Sequence, residues 1–352
     1  MVRYQLKEAI LRSETPQALK KRTSLYLNVE DLKGLYSQML LIRRFEERSG
    51  QLYGQGLIGG FCHLYIGQEA VAVGAAYAKK AQDTFVTAYR DHGHMLTTGM
   101  DPRCVMAELT GRASGSSKGK GGSMHMFDPE KGFLGGHGIV GAQVPLGTGV
   151  AFAHKYKKDG GVCLTFMGDG ASNQGQVYEA FNMAALWELP VVYVIENNGY
   201  GMGTSVARAC AKGEALYKRG EPWGIAGEKV DGMDILQVIE AFQRALKKAR
   251  EGVPYLLEME TYRYRGHSMS DPGHYRSKEE VESFKVHNDP IQNMKAYLLE
   301  ERGFAEDILT DLDREVKEKV KEAVSFAKEA PLPEASELYT DILREDGPFV
   351  GV

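Results

Sequence analysis

An acid and an amide, Asp169 and Asn198, each follow a short apolar run. Val162-Cys163-Leu164-Thr165-Phe166-Met167 ends in Gly168-Asp169-Gly170, and Val191-Val192-Tyr193-Val194-Ile195 ends in Glu196-Asn197-Asn198. A carboxylate, an amide oxygen and a main-chain carbonyl from the Asn198-Gly199-Tyr200 turn are hard oxygen donors. They suit a Mg²⁺ ion that keeps a water and takes its remaining ligands from phosphates. Chemistry of this kind holds a diphosphate through a metal, and it requires both side chains to reach one point.

The residues between the two runs supply the means. Gly175 to Leu189 reads as a helix, with Val177, Phe181, Ala184 and Leu186 near helical spacing and Pro190 as its stop. Strand, helix, strand makes the two strands parallel, so Asp169 and Asn198 leave the same carboxyl edge, where ligands of open α/β sheets bind. Neighbouring strands lie about 4.8 Å apart, close enough for both side chains to share one cation. Gly170 lets the chain approach closely, and the helix that follows turns its N-terminal N–H groups toward the same anion. The expected fold is α/β, an open, mostly parallel sheet with helices on both faces. An N-terminal extension is expected over 1–28, an α/β diphosphate-binding domain over 29–276, and a C-terminal helical region and tail over 277–352.

Gly168-Asp169-Gly170 followed by Asn197-Asn198 resembles the metal motif of thiamine-diphosphate enzymes. Further stretches narrow the resemblance: Gly60-Phe61-Cys62-His63-Leu64-Tyr65, Thr87-Ala88-Tyr89-Arg90, Gly121-Gly122-Ser123-Met124-His125-Met126, Gly138-Ile139-Val140-Gly141 and Tyr262-Arg263-Tyr264-Arg265-Gly266-His267-Ser268-Met269-Ser270-Asp271-Pro272-Gly273. Together they are similar to the alpha subunits of the 2-oxo acid dehydrogenase family, above all those acting on pyruvate, over roughly residues 30 to 345.

The resemblance implies thiamine diphosphate and Mg²⁺ as cofactors. Asp169, Asn198 and the Tyr200 carbonyl would bind the metal. Tyr89, Arg90, Gly170, Ala171, Gln174, Arg263 and His267 would surround the diphosphate, and Gly138 and Val140 would present main-chain groups to the aminopyrimidine. Arginine suits a diphosphate because its planar fork donates to two oxygens and stays charged. His63 and His267 are the implied catalytic groups, since imidazole can give and take a proton near neutral pH. The resemblance also implies that a beta subunit completes the site with a glutamate, in an assembly of two alpha and two beta chains. Pyruvate would be decarboxylated and its acetyl group passed, with help from His267, to the lipoyl-bearing acyltransferase core. The alpha subunits of branched-chain 2-oxo acid and acetoin dehydrogenases share the metal motif, and a non-catalytic scaffold subunit is the alternative of another class. Ser268 matches a position offered to a regulatory kinase in mitochondrial relatives. Here, however, the later Ser-Tyr-Arg is His274-Tyr275-Arg276 and the loop is one residue shorter, so Ser268 and Ser270 are expected to be hydrogen-bonding loop residues.

Composition excludes other classes. With 43 basic and 47 acidic residues and a net charge of −4, no bulk electrostatic footprint for nucleic acid exists, and no apolar stretch approaches the roughly 18 residues of a membrane span. The four cysteines, Cys62, Cys104, Cys163 and Cys210, are scattered without a Cys-x-x-Cys pair. That pattern predicts reduced thiols and a cytoplasmic protein. The start, up to Arg22, resembles neither a secretory signal nor a transit peptide and reads as a loosely ordered extension.

Elsewhere, Val29 to Arg48 carries a helical stripe of Leu32, Leu35, Met39 and Ile42, followed by a glycine-rich stretch over Ser49 to Gly60. Ile235, Ile239, Phe242 and Leu246 mark another helix, and Tyr255 to Glu260 a strand that leads into the Tyr262 to Arg276 loop. Residues 277–330 read as solvated helices broken near Asp289-Pro290. Gly54-Gln55-Gly56-Leu57-Ile58-Gly59 and Gly136-His137-Gly138-Ile139-Val140-Gly141 match the dinucleotide fingerprint, yet neither reads as following an apolar strand, which argues against a nicotinamide site. Gly111 to Gly122 fails phosphate-loop spacing and reads as a flexible connection.

Overall fold

The computed structural model describes residues 25–342. Residues 1–24 and 343–352, with most of the expected extension and the end of the tail, lie outside the described residues. Eleven α-helices occur among the described residues: α1 (Val29–Gly54), α2 (Glu69–Ala78), α3 (His92–Thr97), α4 (Pro102–Leu109), α5 (Gln143–Lys157), α6 (Gly175–Leu186), α7 (Val206–Ala209), α8 (Ile235–Arg250), α9 (Lys278–His287), α10 (Pro290–Glu300) and α11 (Glu306–Glu329). The main sheet comprises β1 (Thr84–Ala88), β2 (Phe133–His137), β3 (Cys163–Gly168), β4 (Val191–Asn197), β7 (Ala226–Asp231) and β8 (Tyr255–Glu260). A small hairpin of β5 (Tyr200–Gly201) and β6 (Thr204–Ser205) stands apart.

The sheet order is β2-β1-β3-β4-β8-β7, and every pairing in it is parallel. The apolar runs of β3 and β4 are continuous because both faces are covered. Leu164, Phe166, Val192 and Val194 join one core cluster with Phe242 of α8, whereas Cys163, Met167, Tyr193 and Ile195 join a second with Val177 and Phe181 of α6. The alternation is that of side chains along a strand. Burying an aromatic such as Phe166 contributes about 1.5–3 kcal/mol, and its ring meets Phe85 at 5.1 Å. Order reverses at β1, with β2 on one side and β3 on the other, and such a switch point opens a crevice at the carboxyl ends of its strands.

Several expectations are corrected. Helix α1 continues six residues past Arg48, because Phe45, Ser49 and Leu52 stay buried at helical spacing, and the Ser49 hydroxyl donates to the Phe45 carbonyl. Helix α6 stops at Leu186 rather than Leu189. The chain turns out through Glu188 at φ 47°, which lets Leu189 bury ahead of β4. The second Gly-x-Gly-x-x-Gly stretch does sit between a strand and a helix, β2 and α5. Its strand, Phe-Leu-Gly-Gly-His, lacks the β-branched residues that would announce it.

The Gly111 to Gly122 connection is tied down rather than loose. The buried Glu108 carboxylate accepts main-chain N–H groups from Ser117 and Gly119, both at 2.8 Å, from Gly121 at 2.7 Å and from Gly122 at 3.1 Å. The loop that resembles a phosphate cradle is filled by the protein's own anion. The C-terminal helices are amphipathic rather than wholly solvated: Leu309, Val316, Val320 and Val324 of α11 share the core cluster of α1.

Candidate functional site

Five adjoining strands deliver residues to one crevice at their carboxyl edge. Tyr89 and Arg90 follow β1, Val140 follows β2, Asp169, Gly170 and Ala171 follow β3, Asn198 and Tyr200 follow β4, and Arg263 and His267 follow β8. All ten line a cleft of about 260 Å³. Gly170 is where backbone meets backbone, since a Cβ there would stand 3.3 Å from Gly201 Cα. Of the remaining sequence-predicted residues, Gly138 lies beside the cleft against the His125 ring, and Gln174 is exposed at the start of α6 with its stem against Gly141. His63 sits one layer out, its ring 4.5 Å from that of Tyr89 and 5.2 Å from that of His267.

The oxygen donors converge. Asp169 Oδ2 accepts the Asn198 main-chain N–H at 3.2 Å. The Asn198 amide is oriented by donating to Gln68 Oε1 at 2.9 Å, which leaves Oδ1 to accept from Arg263 Nη1 at 3.2 Å. The same Nη1 donates to the Tyr200 carbonyl at 3.1 Å, so both oxygens lie within reach of one point. Burial pushes the Asp169 carboxyl up to about 6, against the opposing pull of the Asn198 N–H and the Arg263 charge. A buried carboxylate of this kind is short of a cation. Among the described residues no cluster of three His, Cys, Asp or Glu side chains could hold a metal, so an ion here depends on amide and main-chain oxygens, which Mg²⁺ accepts.

The lining also calls for an anion. Arg90 and Arg263 are both buried, and burial together with Arg263 lowers Arg90 to about 10, still charged at neutral pH. Arg90 spends its fork on the main chain, donating through Nη1 to the Leu64 carbonyl at 2.8 Å and through Nη2 to the His267 carbonyl at 2.6 Å. It therefore clamps together the two histidine-bearing segments. Burial first, then the Arg90 charge, holds the His63 imidazole down to about 2 and that of His267 to about 4. Near pH 7 both rings are neutral, which corrects the expectation of imidazoles titrating near neutrality.

The Tyr262 to Arg276 loop closes on itself. Asp271 accepts from the His267 main-chain N–H at 2.6 Å and from the Tyr275 hydroxyl at 2.8 Å, while Ser268 and Ser270 share a hydrogen bond at 2.9 Å. Cys62 is buried and its thiol is pushed up to about 12, so it is not a nucleophile at neutral pH. All four cysteines are unpaired.

Sequence reasoning missed Gln68, Gln143 and Glu196, which also line the cleft. Gln143, the first residue of α5, is fully buried with neither amide atom hydrogen-bonded, as is Nδ1 of both His63 and His267. Glu196, an acid inside an apolar strand, accepts from the Tyr65 hydroxyl. A charge within a buried run was its one available signal. The unsatisfied amide, the hard oxygens and the buried arginines fit a diphosphate with its metal.

Comparison with known proteins identifies the family. The dehydrogenase E1 component family matches residues 37–336. The chain is similar to the pyruvate dehydrogenase E1 component subunit alpha of Rhizobium meliloti (strain 1021), 60% identical over 89% of this chain and 90% of the relative. It is also similar to that of Zymomonas mobilis, 61% identical over 89% of each chain. The mitochondrial subunit alpha of Dictyostelium discoideum is 50% identical over 92% of this chain and 85% of its own length.

Proposed function

This chain belongs to the dehydrogenase E1 component family, and from that premise we propose that it acts as the alpha subunit of a pyruvate dehydrogenase. With a beta subunit, in a two-alpha two-beta assembly in the cytoplasm, it decarboxylates pyruvate and passes the acetyl group to the lipoyl-bearing acyltransferase core. The observation that carries this is the meeting of Asp169, Asn198 and the Tyr200 carbonyl at one corner of a cleft walled by two buried arginines.

Thiamine diphosphate, when bound, supplies the carbon nucleophile and the electron sink that decarboxylation of a 2-oxo acid needs. Asp169, Asn198 Oδ1 and the Tyr200 carbonyl hold Mg²⁺, while Arg263, Tyr89 and the main chain at Gly170 and Ala171 face the diphosphate, with Gln174 at the rim. Arg90 contributes its charge and fixes His63 and His267 relative to each other. Gly138 and Val140 offer main-chain groups to the aminopyrimidine. His63, stacked near Tyr89, serves the reacting carbonyl as a neutral imidazole; His267, on the surface side, assists acyl transfer to the lipoyl group. The α/β unit over 29–276 holds the cofactor, and the helices that follow it, up to Glu329, buttress it.

A beta partner is supported by an uncovered apolar face. Leu146, Phe152 and Tyr156 on α5 and Met183, Leu186 and Trp187 on and after α6 are exposed large hydrophobics, with the Phe152 and Trp187 rings 5.7 Å apart. Such a patch marks an interaction site, and it adjoins exposed Ile139 and Val140 at the cleft. Among the described residues no helix is long and apolar enough to cross a membrane.

Co-expression with a beta subunit should yield thiamine-diphosphate-dependent turnover of pyruvate well above that of 2-oxoisovalerate or acetoin, and the chain alone should be inactive. A preference for 2-oxoisovalerate or acetoin would reassign the substrate. No turnover of any of the three by a folded, cofactor-loaded pair would favour a scaffold role.

A further inference from the structure

Arg263 does more than face a phosphate. Its side chain is 1% exposed, and each of its nitrogens donates to a neutral oxygen: Nη1 to Asn198 Oδ1 and the Tyr200 carbonyl, Nη2 to the Met202 carbonyl at 3.0 Å and the Tyr275 hydroxyl at 2.6 Å, Nε to the Arg265 carbonyl at 3.3 Å. No carboxylate among the described residues pairs with it directly. A full positive charge, hidden from water, thus shares the two oxygens assigned to the metal.

From this sharing we infer that Arg263 makes metal binding conditional on the diphosphate. The inference rests on the assignment of Asp169, Asn198 and Tyr200 as metal ligands. A divalent ion arriving alone meets a guanidinium on its own ligands, with Arg90 nearby; of the two carboxylates that line the cleft, Asp169 stands at the ligands and Glu196 is engaged by the Tyr65 hydroxyl. Repulsion between cations a few ångström apart is weakly screened in a buried site. A diphosphate would reverse the balance, because its negative charge would offset Arg263 and favour a cation at the same corner. Ion and diphosphate then bind as a pair, and the pairing is set by one side chain. A bare metal is kept from filling the site, and a diphosphate without metal leaves Asp169 unneutralised.

The test uses the assembled enzyme stripped of metal and cofactor, with Mn²⁺ as the probe and its free signal read by electron paramagnetic resonance. In the wild type, Mn²⁺ should bind at least about tenfold more weakly without thiamine diphosphate than with it, after correction for complexes formed in solution. Arg263→Gln should tighten binding of Mn²⁺ alone by about tenfold, the scale of one removed charge. Arg263→Lys, which keeps the charge, should leave binding of Mn²⁺ alone as weak as in the wild type. Unchanged or weaker binding of Mn²⁺ alone to Arg263→Gln would overturn the coupling. Should that variant fail to assemble, equal Mn²⁺ affinities in the wild type with and without the cofactor would overturn it as well. Asp169→Ala added to Arg263→Gln should abolish Mn²⁺ binding; persistence would instead refute the ligand assignment itself.

Discussion

Replacing Asp169 by asparagine should stabilise the metal-free protein while destroying its metal site. The carboxyl rises from its ordinary 3.8 to about 6 because burial disfavours its charge. At about 1.4 kcal/mol for every tenfold in a proton equilibrium, holding it ionised at pH 7.5 costs about 3 kcal/mol. The sign follows from the direction. An acid with a raised folded pKa carries no penalty below about 3.8, where both states are protonated, and the full penalty above about 6. Asparagine preserves the acceptor for the Asn198 N–H and removes the charge, so Asp169→Asn should gain about 1–3 kcal/mol at pH 7.5 and about 1 kcal/mol or less at pH 4.5. Urea unfolding of the full chain in a chelator, at both pH values, measures the difference. Mg²⁺ with thiamine diphosphate should raise the wild-type midpoint and leave the variant unmoved. A variant no more stable than wild type at pH 7.5, or a gain independent of pH, would refute the electrostatic account.

The lowered His63 and His267 imidazoles give the opposite dependence. Their contribution is complete above about 6.5, where both states are neutral, and is lost as pH falls toward about 4 for His267 and further for His63. At pH 5 it should amount to about 2 kcal/mol for His63 and less for the more exposed His267. His63→Gln should flatten the fall of the melting temperature between pH 6.5 and 4.5, and an unaltered slope would count against the assignment. Glu108→Gln leaves one acceptor oxygen for four main-chain N–H groups. It should cost about 2–4 kcal/mol and open residues 111–122 to protease; a resistant loop at an unchanged urea midpoint would show that the carboxylate is dispensable. Gly74→Ala places a Cβ 2.5 Å from Val238 Cγ1 between α2 and α8 and should lose about 1–3 kcal/mol by overpacking. Thermal unfolding reports it, and an undiminished melting temperature would mean that the two helices part easily.

How much of this could be read in advance follows from burial. Strands β3 and β4 are covered on both faces, so their apolar runs are unbroken and their polar ends stand out; Asp169 and Asn198 were legible for that reason. The glycine-bearing β2 was not, because its register is held by neighbours rather than by its own residues. The end of α1 was hidden by surrounding glycines although Ser49 and Leu52 kept the helical period. Gln68 and Gln143 were illegible for a different reason. A neutral amide carries no periodic or charge signal, and it becomes notable only when folding leaves it oriented by one partner or by none.

Ionisation was the least legible property, since it is set by groups far apart in the chain. Arg90 after β1 and Arg263 after β8 approach His63 and His267 only through the fold; after burial, both charges lower the two imidazoles, and Arg263 opposes the rise of Asp169. An anion entering between the arginines would offset only the part of the imidazole lowering that their charges cause, burial remaining, while a metal beside it would favour the ionised carboxylate. Occupancy of the cleft should therefore raise both imidazoles in part. Arg90 can take part in this without touching the ligand, because its fork is committed to the Leu64 and His267 carbonyls while its charge remains.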